Sequence, residues 1–142
     1  MLQREEALAR MRQAGLRVTP QRRAVVDVLV GDRTHPSADE VGSRVASAMP
    51  GVSLSTVYKT LHELASLGLL RELELPGSMR FDPDTAEHAH LLCEECGSVI
   101  DVPMPAGFPG ALDLPAGVRI GKVEITLHGR CANCASGSRH PS

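Results

Sequence analysis

The sequence predicts an α+β chain in two parts: helices closed by a β-hairpin, then a smaller α/β unit of short strands tied together by cysteines. Three observations carry this. Four segments before residue 70 have apolar residues at helical spacing and marked ends; Leu69–Leu75 and Met79–Phe81 flank a Pro76-Gly77 turn; and two Cys-x-x-Cys elements lie beyond residue 90. The expected boundaries are 1–81 for the first part, 82–87 for a polar, Pro83-containing hinge, and 88–135 for the second part. The tail, 136–142, is expected to lack regular structure, and no internal repeat is present.

Taken in order, Leu8 and Met11 share one face of a first helix that Gly15 stops. Thr19 followed by Pro20 is an N-cap hydroxyl before a proline whose missing N–H costs nothing at the first helical position. Val25, Val26 and Leu29 then give the second helix its apolar stripe. Ser37 with Glu40 fits a capping box, and Val41, Val45 and Met49 continue a third helix to Pro50-Gly51. A fourth opens at Ser53, buries Val57, Leu61 and Leu64, and closes at Gly68. Its other face carries Ser55, Thr56, Tyr58, Lys59 and His62, a hydrogen-bonding surface around the chain's one tyrosine. Helices followed by a hairpin in this order describe a winged helix-turn-helix. In the second part, His88–Leu92 and Ser98–Val102 read as strands around the first Cys-x-x-Cys, and Val118–Leu127 alternates as a third strand. Between them four prolines leave room for a short helix near Phe108–Leu114.

Composition narrows the functions available. A chain of 142 residues is too short for a large multi-domain enzyme, and with 2% aromatics its core must be aliphatic. No run of about 18 apolar residues exists to cross a bilayer, and the charged N-terminal stretch does not resemble a signal peptide, so the chain reads as cytoplasmic. The net charge of −2 splits into a mildly basic first part and a more acidic second, too weak a contrast to mark a polyanion binder by itself.

Cytoplasmic thiols are kept reduced, which makes Cys93, Cys96, Cys131 and Cys134 metal ligands before disulfides. Two Cys-x-x-Cys turns complete a tetrahedral shell and leave no open position, the pattern of structural zinc. Iron–sulfur ligation and dithiol redox chemistry are the alternatives, although a redox dithiol needs only one pair. A harder donor set lies close by. His88 and His90, at i and i+2 of a strand, face the same side, with Asp82 upstream and Asp101 ending the following strand; His35 stands in the loop before the third helix. Three imidazoles and two carboxylates suit Fe²⁺, Mn²⁺ or Zn²⁺. Spacing leaves open that some are solvated surface groups, His35 above all. His62, His128 and His140 are read as non-ligands.

The segments Leu16 to Arg22, His35 to Glu40, Ser55 to Leu61, His88 to Gly97 and the final Cys131-x-x-Cys134 together resemble the ferric uptake regulator (Fur) family over about residues 10 to 135. The resemblance implies a homodimeric, metal-dependent repressor of transcription that is not an enzyme, with an N-terminal winged helix for a double-stranded DNA operator and a C-terminal α/β dimerisation domain. It makes Cys93, Cys96, Cys131 and Cys134 the structural zinc site, and His35, Asp82, His88, His90 and Asp101 the regulatory site for Fe²⁺ or Mn²⁺. Aspartate at 82 and 101 agrees with the peroxide-sensing PerR branch, in which iron reacts with peroxide and a ligand histidine, here His35 or His88, is oxidised. The runner-up within the family is an iron- or manganese-uptake repressor. For DNA the implied contacts are Arg17, Ser55, Thr56, Tyr58 and Lys59, with Arg17 matching a basic residue that enters the minor groove. Two departures stand out: the proline-rich stretch from Pro103 to Pro115 replaces a fuller helix, and Ala89 and Arg130 occupy positions where a further metal site would find ligands, so two metals per chain are expected. Outside the family, a metal-dependent hydrolase lacks a paired general acid or nucleophile here, and a metal buffer would use the same ligands without binding DNA.

Overall fold

The computed structural model describes residues 1–137 and divides the chain into two compact units, Met1–Ala86 and Glu87 onward. The first holds helices α1 (Arg4–Gln13), α2 (Pro20–Leu29), α3 (Ala38–Ala48) and α4 (Leu54–Ser66), then strands β1 (Arg71–Leu75) and β2 (Ser78–Asp82). Three helices start where a hydroxyl can take up an orphan amide. Thr19 Oγ1 accepts from the Arg22 amide, Ser37 Oγ from that of Glu40 and Ser53 Oγ from that of Thr56, each at 3.2 Å. The apolar stripes meet in one core that includes Met11, Val25, Leu29, Val45, Leu61 and Phe81. β1 and β2 pair antiparallel, Arg71 opposite Asp82, around a turn with Gly77 in the left-handed region at φ +76°. Asp82 is therefore the last residue of a strand, not part of a linker.

The second unit is a three-stranded sheet in the order β4-β3-β5, with β3 at His88–Cys93, β4 at Val99–Pro103 and β5 at Thr126–Gly129. β3 and β4 form an antiparallel hairpin, whereas β5 lies parallel to β3, with Cys93 opposite Gly129. A short helix, α5 (Ala132–Ala135), follows.

Two expectations are corrected here. The strand read over Val118–Leu127 is confined to β5, because pairing with β3 begins only at Ile125, whose carbonyl accepts the His90 amide at 3.1 Å; Val118 and Ile120 stay in solvent with no strand beside them. The helix expected near Phe108–Leu114 is a series of turns. Proline at 109 and 115 and glycine at 107 and 110 remove donors and favour bends, and residues 110–122 bury no face that could repay helix formation. Of the tail, Ser136 and Gly137 finish the turn after α5, and residues 138–142, including His140, lie outside the described residues. No helix among the described residues is long and apolar enough to cross a membrane.

Candidate metal centres and nucleic-acid interface

The four cysteines converge. A sulfur from each of Cys93, Cys96, Cys131 and Cys134 lies within 4.8 Å of the others. The first turn closes through the Cys93 amide to the Ser98 carbonyl and the Gly97 amide to the Cys93 carbonyl, both at 2.9 Å, with Gly97 at φ +77°. The parallel pairing of β3 with β5 delivers the second: the Glu94 amide donates to the Gly129 carbonyl at 2.8 Å, and two residues later Cys131 caps α5. Cys96 Sγ and Cys131 Sγ are 3.8 Å apart, too far for a disulfide, which needs about 2.05 Å. A tetrahedral ion with sulfurs at about 2.3 Å has ligand-to-ligand edges of about 3.8 Å, so the donor set fits zinc. The electrostatics fit as well. Hydrogen bonding by the backbone amide of Cys131, then that of Cys96, holds the Cys93 pKa down to about 6, and the Cys134 amide lowers Cys131. Burial pushes Cys134 up. Four adjacent thiols cannot all ionise without a cation, and the sequence of easy and hard deprotonations is what a bound dication levels.

The harder donors are brought together in two sets, one in each unit. In the first unit, the Phe81 amide donates to the Pro36 carbonyl at 2.9 Å and Arg80 Nη1 to the His35 carbonyl at 3.3 Å, pinning the loop before α3 against β2. His35 Nε2 thereby comes to 3.4 Å from Asp82 Oδ2, with both side chains 2% exposed. His35 is the one non-glycine residue among those described with a positive φ, +54°, a conformation that costs energy and is kept here to aim a buried imidazole. In the second unit, His90 is registered opposite Asp101 across the β3–β4 ladder and His88 lies diagonally on the same face. Both imidazoles address one carboxylate oxygen: Asp101 Oδ1 is 3.1 Å from His88 Nε2 and 3.4 Å from His90 Nε2. Two buried imidazoles and a partly exposed carboxylate in a small sheet make a donor set of the borderline-hard kind.

The remaining described histidines stand apart from these sets. His62 Nδ1 pairs with Glu72 Oε1 at 2.7 Å, and His128 Nδ1 is 4.0 Å from Glu94 Oε1 at the surface. On α4, Ser55, Tyr58 and Lys59 are exposed, and Tyr58 stacks on His62 at a centroid distance of 6.5 Å. Thr56 is less available: it is half-buried, and its hydroxyl is 2.9 Å from Ser53 Oγ in the N-cap. Arg17 is exposed in the loop before α2. Sequence reasoning missed the Glu72 partner of His62 and the Glu63 partner of Arg22, since neither pairing leaves a local signal.

The signature of the Ferric uptake regulator family matches residues 13–106 of the chain. This chain belongs to the ferric uptake regulator family. It is 40% identical over 102 residues, covering 71% of this chain and 69% of the relative, to the peroxide-responsive repressor PerR of Staphylococcus aureus. Among solved structures it is similar to the Campylobacter jejuni peroxide stress regulator, with a TM-score of 0.70 at 25% identity over 94% of this chain and 100% of that one. It is also similar to the ferric uptake regulator of Pseudomonas aeruginosa with manganese, with a TM-score of 0.70 at 27% identity over 87% and 96% of the two chains. Membership places the chain among transcription regulators and not among enzymes.

Proposed function

We propose that this chain is a metal-dependent, homodimeric, cytoplasmic repressor that binds double-stranded DNA and senses peroxide in the manner of PerR. The observation that carries the metal dependence is the convergence of the His88 and His90 Nε2 atoms on Asp101 Oδ1, two buried imidazoles turned to one partly exposed carboxylate, a donor set that a dication satisfies and that neutral packing does not require. The regulatory ligands in this reading are His35, Asp82, His88, His90 and Asp101, and the ion is Fe²⁺ or Mn²⁺. Cys93, Cys96, Cys131 and Cys134 hold structural Zn²⁺.

His35 and Asp82 belong to the first unit, and the other three ligands to the second. Recruiting both sets ties two bodies, joined by a hinge after β2 over 83–87, into one arrangement. In a two-fold dimer that arrangement fixes the spacing of the two α4 helices, and half-sites on one face of DNA must lie about 34–36 Å apart or a multiple of it. The closed form gains from metal by the difference in its affinity for the two forms, and His35 and Asp82, reaching over from the first unit, are the ligands that create the difference. Support for the dimer comes from the second unit, where no strand among the described residues pairs with the outer edge of β4 or β5 and Ile100, Leu112, Leu114, Val118, Ile120 and Leu127 are each at least 40% exposed. On DNA, Tyr58 offers a ring to thymine methyls, Lys59 a cation, and Ser55, Thr56 and Arg17 further hydrogen bonds.

Bound Fe²⁺ supplies the redox chemistry with hydrogen peroxide that a Mn²⁺-loaded site lacks. The residues' part is to hold an imidazole, His35 or His88, where it takes the oxygen; the oxidised ring is a poorer donor, the set loses a ligand and the closed form loses its advantage. The relative named for its response to peroxide supports this reading over an uptake repressor. Peptide mass spectrometry of the iron-loaded protein after peroxide is expected to find one added oxygen on a peptide containing His35 or His88. Unmodified histidines, with DNA still bound only in the presence of metal, would leave a metal-uptake repressor; no metal-dependent DNA binding in a gel-shift assay would remove the repressor itself.

A further inference from the structure

One side chain joins the exposed Arg17 loop to α4. Arg22, in the first turn of α2, presents its guanidinium to Glu63: Nε donates to Oε2 and Nη2 to Oε1, both at 2.9 Å. The remaining edge is used as well, since Nη1 donates to the Arg17 carbonyl at 2.8 Å. The pair is largely withdrawn from water, with Arg22 16% and Glu63 15% exposed. Of the two cationic side chains only arginine has a planar fork that can serve both oxygens of a carboxylate and a third acceptor in fixed geometry; lysine brings the charge without the fork.

Each end of this bridge adjoins an exposed cation. Leu16 and Val18 pack against the core on either side of Arg17, and that alternation sends the Arg17 side chain to solvent. The Arg17 carbonyl also accepts the Thr19 amide at 3.1 Å, so the loop is tied on both sides of the N-cap of α2. On α4, Glu63 lies one turn beyond Lys59, the exposed cation beside Tyr58.

We propose that Arg22 is a positioning residue for DNA binding: its bridge from Glu63 to the Arg17 carbonyl holds the Arg17 guanidinium in register with the Tyr58–Lys59 face, so that loop and helix engage one duplex together. This rests on the DNA-binding reading above. A residue needed only for folding would lower affinity by the same factor whether or not Arg17 kept its side chain. A residue that acts through Arg17 loses its influence once that side chain is gone.

The test is a double-mutant cycle on the full chain loaded with Zn²⁺ and Mn²⁺. A duplex is first selected from a random-sequence pool by the wild-type protein and then used as the probe. Arg22→Lys and Arg17→Ala are each expected to weaken binding about tenfold and to reduce the salt slope by about one ion, and the double variant is expected to bind no more weakly than Arg17→Ala. Glu63→Gln, nearly isosteric, runs the same cycle should Arg22→Lys fold poorly. Factors that multiply in the double variant, or an Arg22→Lys protein that binds as the wild type does, overturn the positioning role while leaving the repressor reading intact. A pool from which no duplex is enriched overturns the repressor reading and this inference with it.

Discussion

In the first unit sixteen apolar residues are buried together, with Met11, Val25, Val26, Leu29, Leu61 and Phe81 fully out of water. In the second, the buried cluster consists of Cys93, Cys131 and Cys134, and beyond it the buried side chains include His88, Ala89 and His90. The first unit thus excludes water chiefly with hydrocarbon, His35 and Asp82 apart, and the second with thiols and imidazoles. A sheet of three short strands followed by one turn of helix cannot enclose an aliphatic core, and the residues from 110 to 122 stay at the surface without adding to one. Metal ligation can substitute for that core because the free energy of binding becomes free energy of folding. Under the proposed function, ligation is also what the two adjacent buried imidazoles serve, their ring centroids 4.4 Å apart where a packed core would hold Leu or Val.

The widest separation between the units is expected on removing zinc. Apparent binding free energies for structural zinc run to about 10–16 kcal/mol, far more than a sheet this small can replace. Chelation at neutral pH, or Cys93→Ala, is expected to abolish slow amide exchange in β3, β4 and β5 while α2, α3 and α4 keep theirs, as read by hydrogen-exchange mass spectrometry of the full chain. Equal loss of protection in both units would mean that they fold as one body and that the contrast drawn above is wrong.

The next effect runs the other way. Leu61 is fully buried in the first unit, and Leu61→Ala is expected to cost about 2–5 kcal/mol, the transfer term plus a cavity. Helical ellipticity in urea should show the lowered midpoint, while zinc content per chain stays unchanged. Zinc lost along with the helices would break the comparison from the opposite side.

How much of this could be read from the chain depends on how far apart the interacting residues are. The starts of α2, α3 and α4 were legible because Thr19, Ser37 and Ser53 act on amides three residues away. The cysteine cluster was legible because each pair is local and tetrahedral ligation needs two such pairs. The parallel pairing of β5 with β3 was not, since no local pattern records which strand accepts a partner 36 residues distant in the chain. The Arg22–Glu63 pair spans 41 residues and is silent for the same reason. Alternation over Val118–Leu127 misled because it marks a strand only where a partner offers hydrogen bonds along its length. At the candidate regulatory site the residue types were legible. The left-handed backbone of His35 was not, because it is imposed by the hydrogen bonds of Pro36 and His35 carbonyls to β2.

A smaller effect sharpens the assignment of local signals to the first unit. Ser53→Ala removes the acceptor for the Thr56 amide and is expected to cost about 0.5–2 kcal/mol. It also frees the Thr56 hydroxyl, now tied to Ser53 Oγ at 2.9 Å. Thermal unfolding gives the first quantity. If the variant is as stable as the wild type, the N-cap is not what sets the start of α4.

The smallest expected effect concerns acid. Burial alone would raise the Asp32 carboxyl, but hydrogen bonds from the Thr34 hydroxyl and amide and the charge of Arg44 outweigh it and hold the group below its usual value of 3.8. A carboxyl lowered in the folded state contributes stability that is present above its unfolded pKa and is lost as pH falls through the folded one. Arg44 is 40% exposed, so solvent screening keeps the contribution to about 0.5 kcal/mol. The wild type should therefore lose slightly more stability than Asp32→Asn as pH falls from above 3.8 through the lowered folded-state pKa, with the two curves separated above that window and converging below it. The ligand thiols of the second unit, in contrast, must shed their protons to hold zinc, so acid competes for that unit at a higher pH, beginning with whichever cysteine is hardest to ionise. A pH titration followed by exchange at β3 and at α3 should show the strand yielding first. Simultaneous loss at both would place the acid-sensitive group in the first unit and shift the weight of this comparison onto Asp32.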